Sequence, residues 1–314
     1  MKIQLLTILR DLKLHLIVDL CKQLGCSSVE LSELRAAWVE GGVNIHECSG
    51  RYQLLPQLPP LDVFFLKSQL LPAHVWVNSI VDSTNQYLLD HLPDLQKGDL
   101  CLADYQWAGR GRRGRTWEGT YAGQILLSLY WEFKDFAQTE GLSLVIGLAV
   151  CQALCSIGCP GLKLKWPNDI LLFGKKLGGI LIETSPKTKK VLGVVIGLGL
   201  NLSLPIQLKA NNPRWAELAQ VEVTLDRNQL VLLLMRYLRV YLKHFERKGF
   251  EYFQKEWVKN DYFWGQTVQL VATTSELVAE GIEKGVDRDG AVLILTKENS
   301  IQAYRGGEIS LLAS

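Results

Sequence analysis

Hydrophobic and polar positions divide this chain into three stretches with different rhythms. In the first, residues 3–10 and 17–24 carry apolar side chains at the three-to-four spacing of an amphipathic helix. Gly25 breaks the chain, and Ser27 or Ser28 is placed to cap a third helix running to about Glu40. Gly41-Gly42 ends it, and residues 43–55 read as two short strands turning at Ser49-Gly50. Three short helices and a β-ribbon form the order of a winged helix-turn-helix, expected over residues 1–58. Pro56, Pro59 and Pro60 mark a linker after it.

The second stretch, residues 66–265, mixes strands and helices. Runs rich in β-branched or aromatic residues predict strands at 76–81, 99–106, 124–133, 162–166, 180–183 and 191–200. Helices are expected at 84–91, 142–157 and 227–247. The last opens with Asp226 and carries Gln229 three residues on, a capping-box pattern. Its apolar face is expected to hold Leu230, Leu233, Leu234, Tyr237 and Tyr241. The third stretch, 267–314, has only short strands separated by Gly281, Gly285, Gly290 and Gly306-Gly307, the rhythm of a small β-barrel. The whole reads as an α+β chain of three domains, in keeping with 314 residues.

Composition narrows the function classes. With 48% hydrophobic and 21% charged residues, this is a globular chain rather than a disordered one. A net charge of +2 is too small for a general nucleic-acid coat, so any phosphate binding has to be local. There is no basic segment followed by an apolar run and a small-residue cleavage site, which points to the cytoplasm. Residues 141–158 lack charge and mimic a membrane span. Ser143, Gln152 and Ser156 dilute them and a basic flank is missing, so a buried core helix is the better reading and no membrane association is expected.

Seven cysteines, at 21, 26, 48, 101, 151, 155 and 159, fit a reduced protein better than a disulfide framework. Cys151, Cys155 and Cys159 recur every four residues along one helical stripe, as a thiolate metal site or as small core residues. No fourth ligand with metal spacing accompanies them, so packing is preferred and no protein metal ligand is assigned.

The densest chemistry lies in Gly109-Arg-Gly-Arg-Arg-Gly-Arg115, where four arginines alternate with three glycines between Trp107 and Trp117. Glycine lets backbone amides approach a ligand, and guanidinium forks match carboxylate and phosphate oxygens. The literal G-x-G-x-x-G would be a dinucleotide site only if a helix began on its last glycines. Here a turn and strand follow, so that reading is rejected. Lys165-Trp-Pro-Asn-Asp169 and Lys175-Lys-Leu-Gly-Gly179 flank a tight Phe173-Gly174 turn and present cations and a carboxylate at a strand end. Asp82-Ser-Thr-Asn85 sits at a strand-to-helix junction, and Gly197-Leu-Gly-Leu-Asn201 ends a buried strand. Each has a plain alternative when taken singly: an Asx turn, a helix cap, or close backbone packing.

In this order and spacing, these motifs resemble the biotin protein ligases, specifically the bifunctional bacterial branch that also represses a biotin operon. The resemblance covers nearly the whole chain, including the tail Gly306-Gly-Glu-Ile-Ser-Leu, and is most specific over residues 80–201. It implies a winged helix-turn-helix over 1–58 and a mixed α/β catalytic domain over 66–265 with a class II synthetase-like sheet. An SH3-like barrel is implied over 267–314. It further implies that ATP and Mg²⁺ convert biotin to biotinyl-5'-AMP, and that biotin passes to a lysine of the biotin carboxyl carrier protein of acetyl-CoA carboxylase. Homodimerisation through the central sheet is also implied.

By the same resemblance, Ser83, Thr84, Asn85 and Gln106 hold biotin. Arg110, Gly111 and Arg112 contact biotin and the acyl phosphate, largely through backbone amides. Lys176 bridges the carboxylate and the α-phosphate. Arg113, Arg115, Trp117, Lys165, Asn168 and Asn201 belong to the nucleotide side, with Trp117 packing over the intermediate, and Asp169 orients the incoming lysine. Arg112, Lys176 and Asp169 are the catalytic set. Enclosure also matters because an acyl-adenylate exposed to water would hydrolyse.

The N-terminal segment departs from the repressor pattern. Over residues 1–60, Lys2, Arg10, Lys13, Lys22, Arg35 and Arg51 are matched by Asp11, Asp19, Glu30, Glu33, Glu40 and Glu47. The expected recognition helix carries three of those glutamates and one arginine, although DNA affinity derives largely from neutralising phosphates. Two hypotheses therefore stand: a ligase that still binds operator DNA, and a ligase whose winged helix has become a structural or protein-docking module. The rival from another class is a biotin-responsive DNA-binding regulator without ligase activity.

Overall fold

The computed structural model describes residues 2–222, 226–272, 276–306 and 309–313. Gly307 and Glu308 of the expected tail lie outside the described residues. At the start, α1 (Lys2–Leu9) precedes β1 (His15–Leu16), α2 (Ile17–Leu24) and α3 (Ser28–Glu40). Gly25 closes α2 at φ 66°, and Ser27 caps α3. The cap is reciprocal: Ser27 Oγ accepts from the Glu30 amide, and the Glu30 carboxylate accepts from the Ser27 amide at 2.8 Å. β2 (Ile45–Cys48) and β3 (Arg51–Leu54) are joined by Ser49 and Gly50, both at positive φ as a tight hairpin requires. The two-residue β1, too short to leave a period in the sequence, pairs with β3 and completes a sheet of order β1-β3-β2.

These elements bury Leu5, Leu9, Leu20, Leu31 and Leu54 in a core that continues through Tyr105 and Tyr121 of the neighbouring body. Trp38 meets Tyr105 edge-on at 5.8 Å, and Thr120 Oγ1 donates to the Gly42 carbonyl at 2.6 Å.

An unforeseen α4 (Val63–Gln69), capped by Asp62, leads into the main sheet. Its strands are β4 (Val75–Val81), β5 (Leu100–Gln106), β6 (Gln124–Phe133), β7 (Leu162–Lys165), β8 (Asp169–Leu172), β9 (Lys175–Thr188) and β10 (Val191–Asn201). They run in the order β4-β5-β6-β10-β9-β8-β7. Only β4 and β5 pair in parallel, because α5 (Thr84–Asp90) carries the chain across between them. The sequence pattern placed a strand at 180–183 and had Lys175–Gly179 open the strand after the Phe173-Gly174 turn, but named no strand at β8 and did not carry β9 on to Thr188, where Ser185, Pro186 and Lys187 dilute the apolar run. On β5, β6 and β10, one face packs under α5 with Cys101, Tyr130 and Val195. The other buries Leu102, Leu129 and Ile196 against two long helices. Strands covered on both faces read as continuous apolar runs, which is why these three were legible.

The two helices are α6 (Leu142–Cys155) and α8 (Arg227–Lys248), with α7 (Ile206–Asn211) between them in the chain and α9 (Gln254–Asn260) after them. In α6 only Ser143, Gln152 and Cys155 escape burial, so the membrane-like segment is spent on the core. Burial pushes the Cys151 thiol up, whereas Cys155 is exposed, so the cysteine stripe does not share one environment. Asp226 caps α8 by accepting from the Asn228 and Gln229 amides at 2.8 and 3.0 Å. The buried stripe of α8 is Leu230, Val231, Leu234, Met235, Leu238, Leu242 and Phe245, with Leu233, Tyr237 and Tyr241 on its flank. The expected face was therefore rotated, because aromatic residues at the edge of an apolar stripe read as its centre.

The last sheet contains β11 (Thr267–Ala272), β12 (Leu277–Val286), β13 (Val292–Leu295), β14 (Ile301–Tyr304) and β15 (Ile309–Ala313), in the antiparallel order β14-β13-β12-β11-β15. It meets the main body at a buried carboxyl pair. Asp261, bridged to Leu164 of β7, lies next to Glu283 of β12. Asp261 Oδ1 and Glu283 Oε1 accept from the amides of Phe263 and Gly285, and their second oxygens are buried.

Burial raises both acids, and Asp261 then raises Glu283 further, to about 8, while Lys163 and Lys284 oppose the shifts. A carboxyl raised in the folded state contributes stability that is complete below its unfolded value and lost as pH rises through the folded one. The melting temperature of the wild type is therefore expected to fall as pH rises from about 5 to about 8. In Glu283→Gln this fall should be much shallower by thermal unfolding, and an unchanged slope would refute the assignment.

Candidate active site

The arginine loop leaves the end of β5 and folds back on itself. Arg110 and Thr116 form an antiparallel bridge, the Gly111 amide donates to the Arg115 carbonyl at 2.7 Å, and the Trp117 amide donates to Gly109 at 2.9 Å. At its tip Arg112–Gly114 make one tight turn, with Arg113 and Gly114 both left-handed at φ 61° and 67°. This is a self-bridged hairpin and not a helix start. A Cβ on Gly109 would stand 2.5 Å from the Trp117 carbonyl, so the narrow neck of the loop requires glycine there.

Beneath the loop lies a cavity of about 670 Å³, a size usual for small-molecule sites. Its floor forms where β4 hands over to α5. The Thr84 amide and Oγ1 both donate to Gln106 Oε1, at 2.7 and 2.9 Å, which fixes the Gln106 amide against α5. Ser128 Oγ, from β6, lies 2.7 Å from Thr84 Oγ1 and also bonds Asn85 Oδ1. Ser83, Thr84 and Asn85 are each only 3% exposed, so these contacts are desolvated and well determined. Gly197 of β10 permits the arrangement, since a Cβ there would stand 2.4 Å from Asn85 Oδ1.

The opposite wall comes from β7, β8 and β9. Lys176 Nζ sits 2.7 Å from Asp169 Oδ1 and 5.6 Å from the Trp117 ring centre. Asn168 is pinned to β9 through its Nδ2 on the Ile180 carbonyl at 2.8 Å, and its Oδ1 accepts from Arg112 Nη1 at 3.1 Å. The segment 214–216 hydrogen-bonds alongside Lys176 and brings Trp215 onto Trp117, with ring planes 13° apart. Gly199 leaves room for this slot, because a Cβ there would be 2.5 Å from the Trp117 ring. The Trp117 indole N–H is buried with no hydrogen-bond partner among the described residues.

Arg112, Arg113, Arg115, Lys165, Lys176 and Arg214 all line this one cavity, against the carboxylates of Glu118 and Asp169. Burial first, and neighbouring cations after it, lower the Lys165 ammonium, with Asp169 opposing. Burial and then the charge of Arg113 lower Arg112 in the same way. A cavity that desolvates cations next to one another is built for a polyanion.

Of the residues expected from sequence, Ser83, Thr84, Asn85, Gln106, Arg110, Gly111, Arg112, Arg113, Arg115, Trp117, Lys165, Asn168, Asp169 and Lys176 all line the cavity. Asn201 does not. It lies behind the wall at 1% exposure, accepting from Gln124 and donating to the Ala216 carbonyl, so its contribution is to hold the Trp215 segment. Sequence reasoning missed Ser128, Arg214, Trp215 and Glu183. Ser128 had a signal, a polar residue inside the apolar run Ile125-Leu-Leu-Ser-Leu-Tyr130. Arg214 and Trp215 had none, being brought in by a loop.

Residues 76–201 match the Biotin/lipoate A/B protein ligase family, and residues 263–312 match the Biotin protein ligase C terminal domain. The chain is 37% identical over 310 residues to the bifunctional ligase/repressor BirA of Salmonella typhimurium, covering 98% of this chain and 96% of that one. The chain belongs to the biotin protein ligase family. The Escherichia coli BirA is similar to the ligase at 36% identity over 312 residues, with 98% and 96% covered. Among solved structures, the biotin protein ligase from Aquifex aeolicus in complex with biotin and ATP superposes with a TM-score of 0.66 at 30% identity. It covers 77% of the ligase and 99% of its own chain. The ligase is thus an enzyme, and the cavity under its arginine loop falls within the matched segment.

Proposed function

We propose that the cavity joins biotin to AMP and then hands biotin to a lysine of the biotin carboxyl carrier protein of acetyl-CoA carboxylase. The observation that carries this reading is the convergence of seven cationic residues over a polar floor in one small-molecule cavity. In the first step, a biotin carboxylate oxygen forms a bond to the α-phosphorus of ATP. The bond to the bridging oxygen of the β-phosphate breaks, and pyrophosphate leaves. Two anions must meet, so the site has to hold positive charge where they approach.

Thr84, Gln106 and Ser83 orient the ureido ring. Arg110, Gly111 and Arg112 bring loop amides to the carboxylate and acyl phosphate. Lys176 bridges the carboxylate and the α-phosphate, held at its post by Asp169. Arg113, Arg115, Lys165 and Asn168 receive the phosphates, while Trp117 packs over the adenylate. In the second step, the neutral amine of the carrier lysine attacks the acyl carbon, AMP leaves with the bonding pair, the proton lost by the amine passes to solvent, and Asp169 orients the incoming amine. Glu118 and Asp169, the two carboxylates that line the cavity, are the residues that would hold a phosphate-bound Mg²⁺, which takes one or two carboxylates from protein. It would neutralise triphosphate charge.

The fold reading that accompanies this function is a winged helix-turn-helix over 1–58, a catalytic domain over 66–265 and an SH3-like barrel over 267–314, assembled as a homodimer through the main sheet. Operator binding is a second activity, favoured by the match of the whole chain to proteins named as ligase/repressors. The charge of α3 opposes it. Glu33 and Glu40 are exposed, while Arg35 is turned inward to the Ile45 carbonyl at 2.9 Å and to Glu47 at 3.6 Å. A DNA complex of this protein therefore rests on few phosphate contacts.

Biotin-dependent ATP–pyrophosphate exchange tests the ligase reading, since a regulator without ligase activity would show none. Lys176→Ala should lower that exchange by roughly 100-fold or more; a normal rate would remove Lys176 from its role. Arg112→Gly should fold and still make adenylate but release it roughly ten times faster, read as labelling of unrelated lysines by free biotinyl-AMP. Retention equal to wild type would sink the loop's enclosing role. In a gel shift on a palindromic operator with biotin and ATP, any specific complex should weaken only shallowly with salt. A steep salt dependence would overturn the charge argument.

A further inference from the structure

Glu183 belongs to none of the assigned roles, yet it ties together the two parts of the site that have to act in concert. It lies on β9, with its side chain about a quarter exposed. One oxygen, Oε2, accepts from Asn85 Nδ2 of α5 at 2.8 Å and from Arg110 Nη2 of the loop at 2.7 Å. The other arm of the Arg110 fork donates to Gln86 Oε1, one residue further along α5, at 2.8 Å. Both N–H donors of Asn85 are taken. Its NH₂ serves Glu183 and, at 3.4 Å, the Leu181 carbonyl, and its oxygen accepts from Ser128. Ser128 in turn touches Thr84, which holds Gln106.

A chain of hydrogen bonds therefore runs from Gln106 and Thr84 on the floor, through Ser128, Asn85 and Glu183, to Arg110 at the base of the loop. Two consequences follow from the geometry. With both N–H donors taken, the Asn85 amide can offer a ligand only the second lone pair of its oxygen, so its main place in the site is as a support. The Arg110 side chain points down to α5 and β9 rather than to the phosphates, so it straps the loop instead of binding substrate. We infer that Glu183 is a positioning residue that clamps the loop through Arg110 and couples its closure to an ordered biotin floor through Asn85.

This inference rests on the ligase reading and deepens it. Charge-assisted bonds in a partly desolvated network are worth more than their exposed counterparts, and members of one network respond non-additively. Removing Glu183 leaves Arg110 charged and tethered by the Gln86 amide alone of its two anchors. The loop should then close more weakly over biotin, while the phosphate-side cations Lys176, Arg113 and Arg115 are untouched.

The test is biotin-dependent exchange and adenylate release in purified full-length protein, for wild type, Glu183→Ala, Glu183→Gln, Arg110→Met and the double variant Glu183→Ala/Arg110→Met. Glu183→Ala should raise the biotin KM and the adenylate release rate by about tenfold, with kcat of exchange at saturating biotin within about twofold. Glu183→Gln keeps an acceptor oxygen for Asn85 and should recover part of the loss. The double variant should be little worse than the more impaired single one. A loss of kcat with unchanged KM, the mark of a smaller folded fraction, would overturn the proposal, as would additive effects in the double variant. If wild type shows exchange and Glu183→Ala matches it in KM and release, Glu183 has no such role. No exchange in wild type would overturn the ligase reading and the clamp together.

Discussion

Crowding of positive charge around one desolvated cavity is the constraint to which the rest of this structure answers. Lys165 and Arg112 are lowered by burial and by one another's neighbours, so each cation is costly to hold where it stands. Two carboxylates share the load by pairing, Asp169 with Lys176 and Glu183 with Arg110. The remaining charge waits for the phosphates of the substrate. A polyanion entering such a site relieves its charge crowding.

Rigid surroundings keep those charges in place. The floor sits on three strands that are covered on both faces, and β10 contributes glycines where a side chain would collide with Asn85 or with Trp117. The result is that α5 and the Trp117–Trp215 slot lie directly on backbone. The N-terminal elements are joined to the same region, since Thr120, Tyr121 and Tyr105 contact them within a few residues of the arginine loop. At the far side, Tyr262 and Phe263 line the cavity next to the buried Asp261–Glu283 pair. The cavity therefore touches the last sheet through Leu312 and lies within a few residues of the contacts to the first, so substitutions at either junction have a short physical path to it.

Much of this was readable in one dimension. Apolar runs identified β5, β6 and β10, because strands covered on both faces have no polar alternation to confuse them. The glycine punctuation located the turns at Gly25, Ser49-Gly50 and Phe173-Gly174, and the arginine loop declared itself by composition. The short motifs between Asp82 and Asn201 marked the site, since residue types that touch substrate tend to be local to strand ends. Where side chains act on distant partners, the same reading failed. Asn201 looks like a site residue and is a buried brace. Glu183 looks like an ordinary strand residue, yet it is bonded to two elements far away in sequence.

The sequence by itself determined the order of elements, the family and the chemistry available, because periodicity, turn residues and contiguous motifs are properties of near neighbours. Tertiary structure alone decided which residues are free to meet a ligand. Hydrogen-bond commitments and the close approach of Gly197 and Gly199 to Asn85 and Trp117 depend on groups separated by tens to a hundred residues. No local pattern encodes how far a carboxylate on β9 lies from a guanidinium on the loop, and that distance sets what each can do.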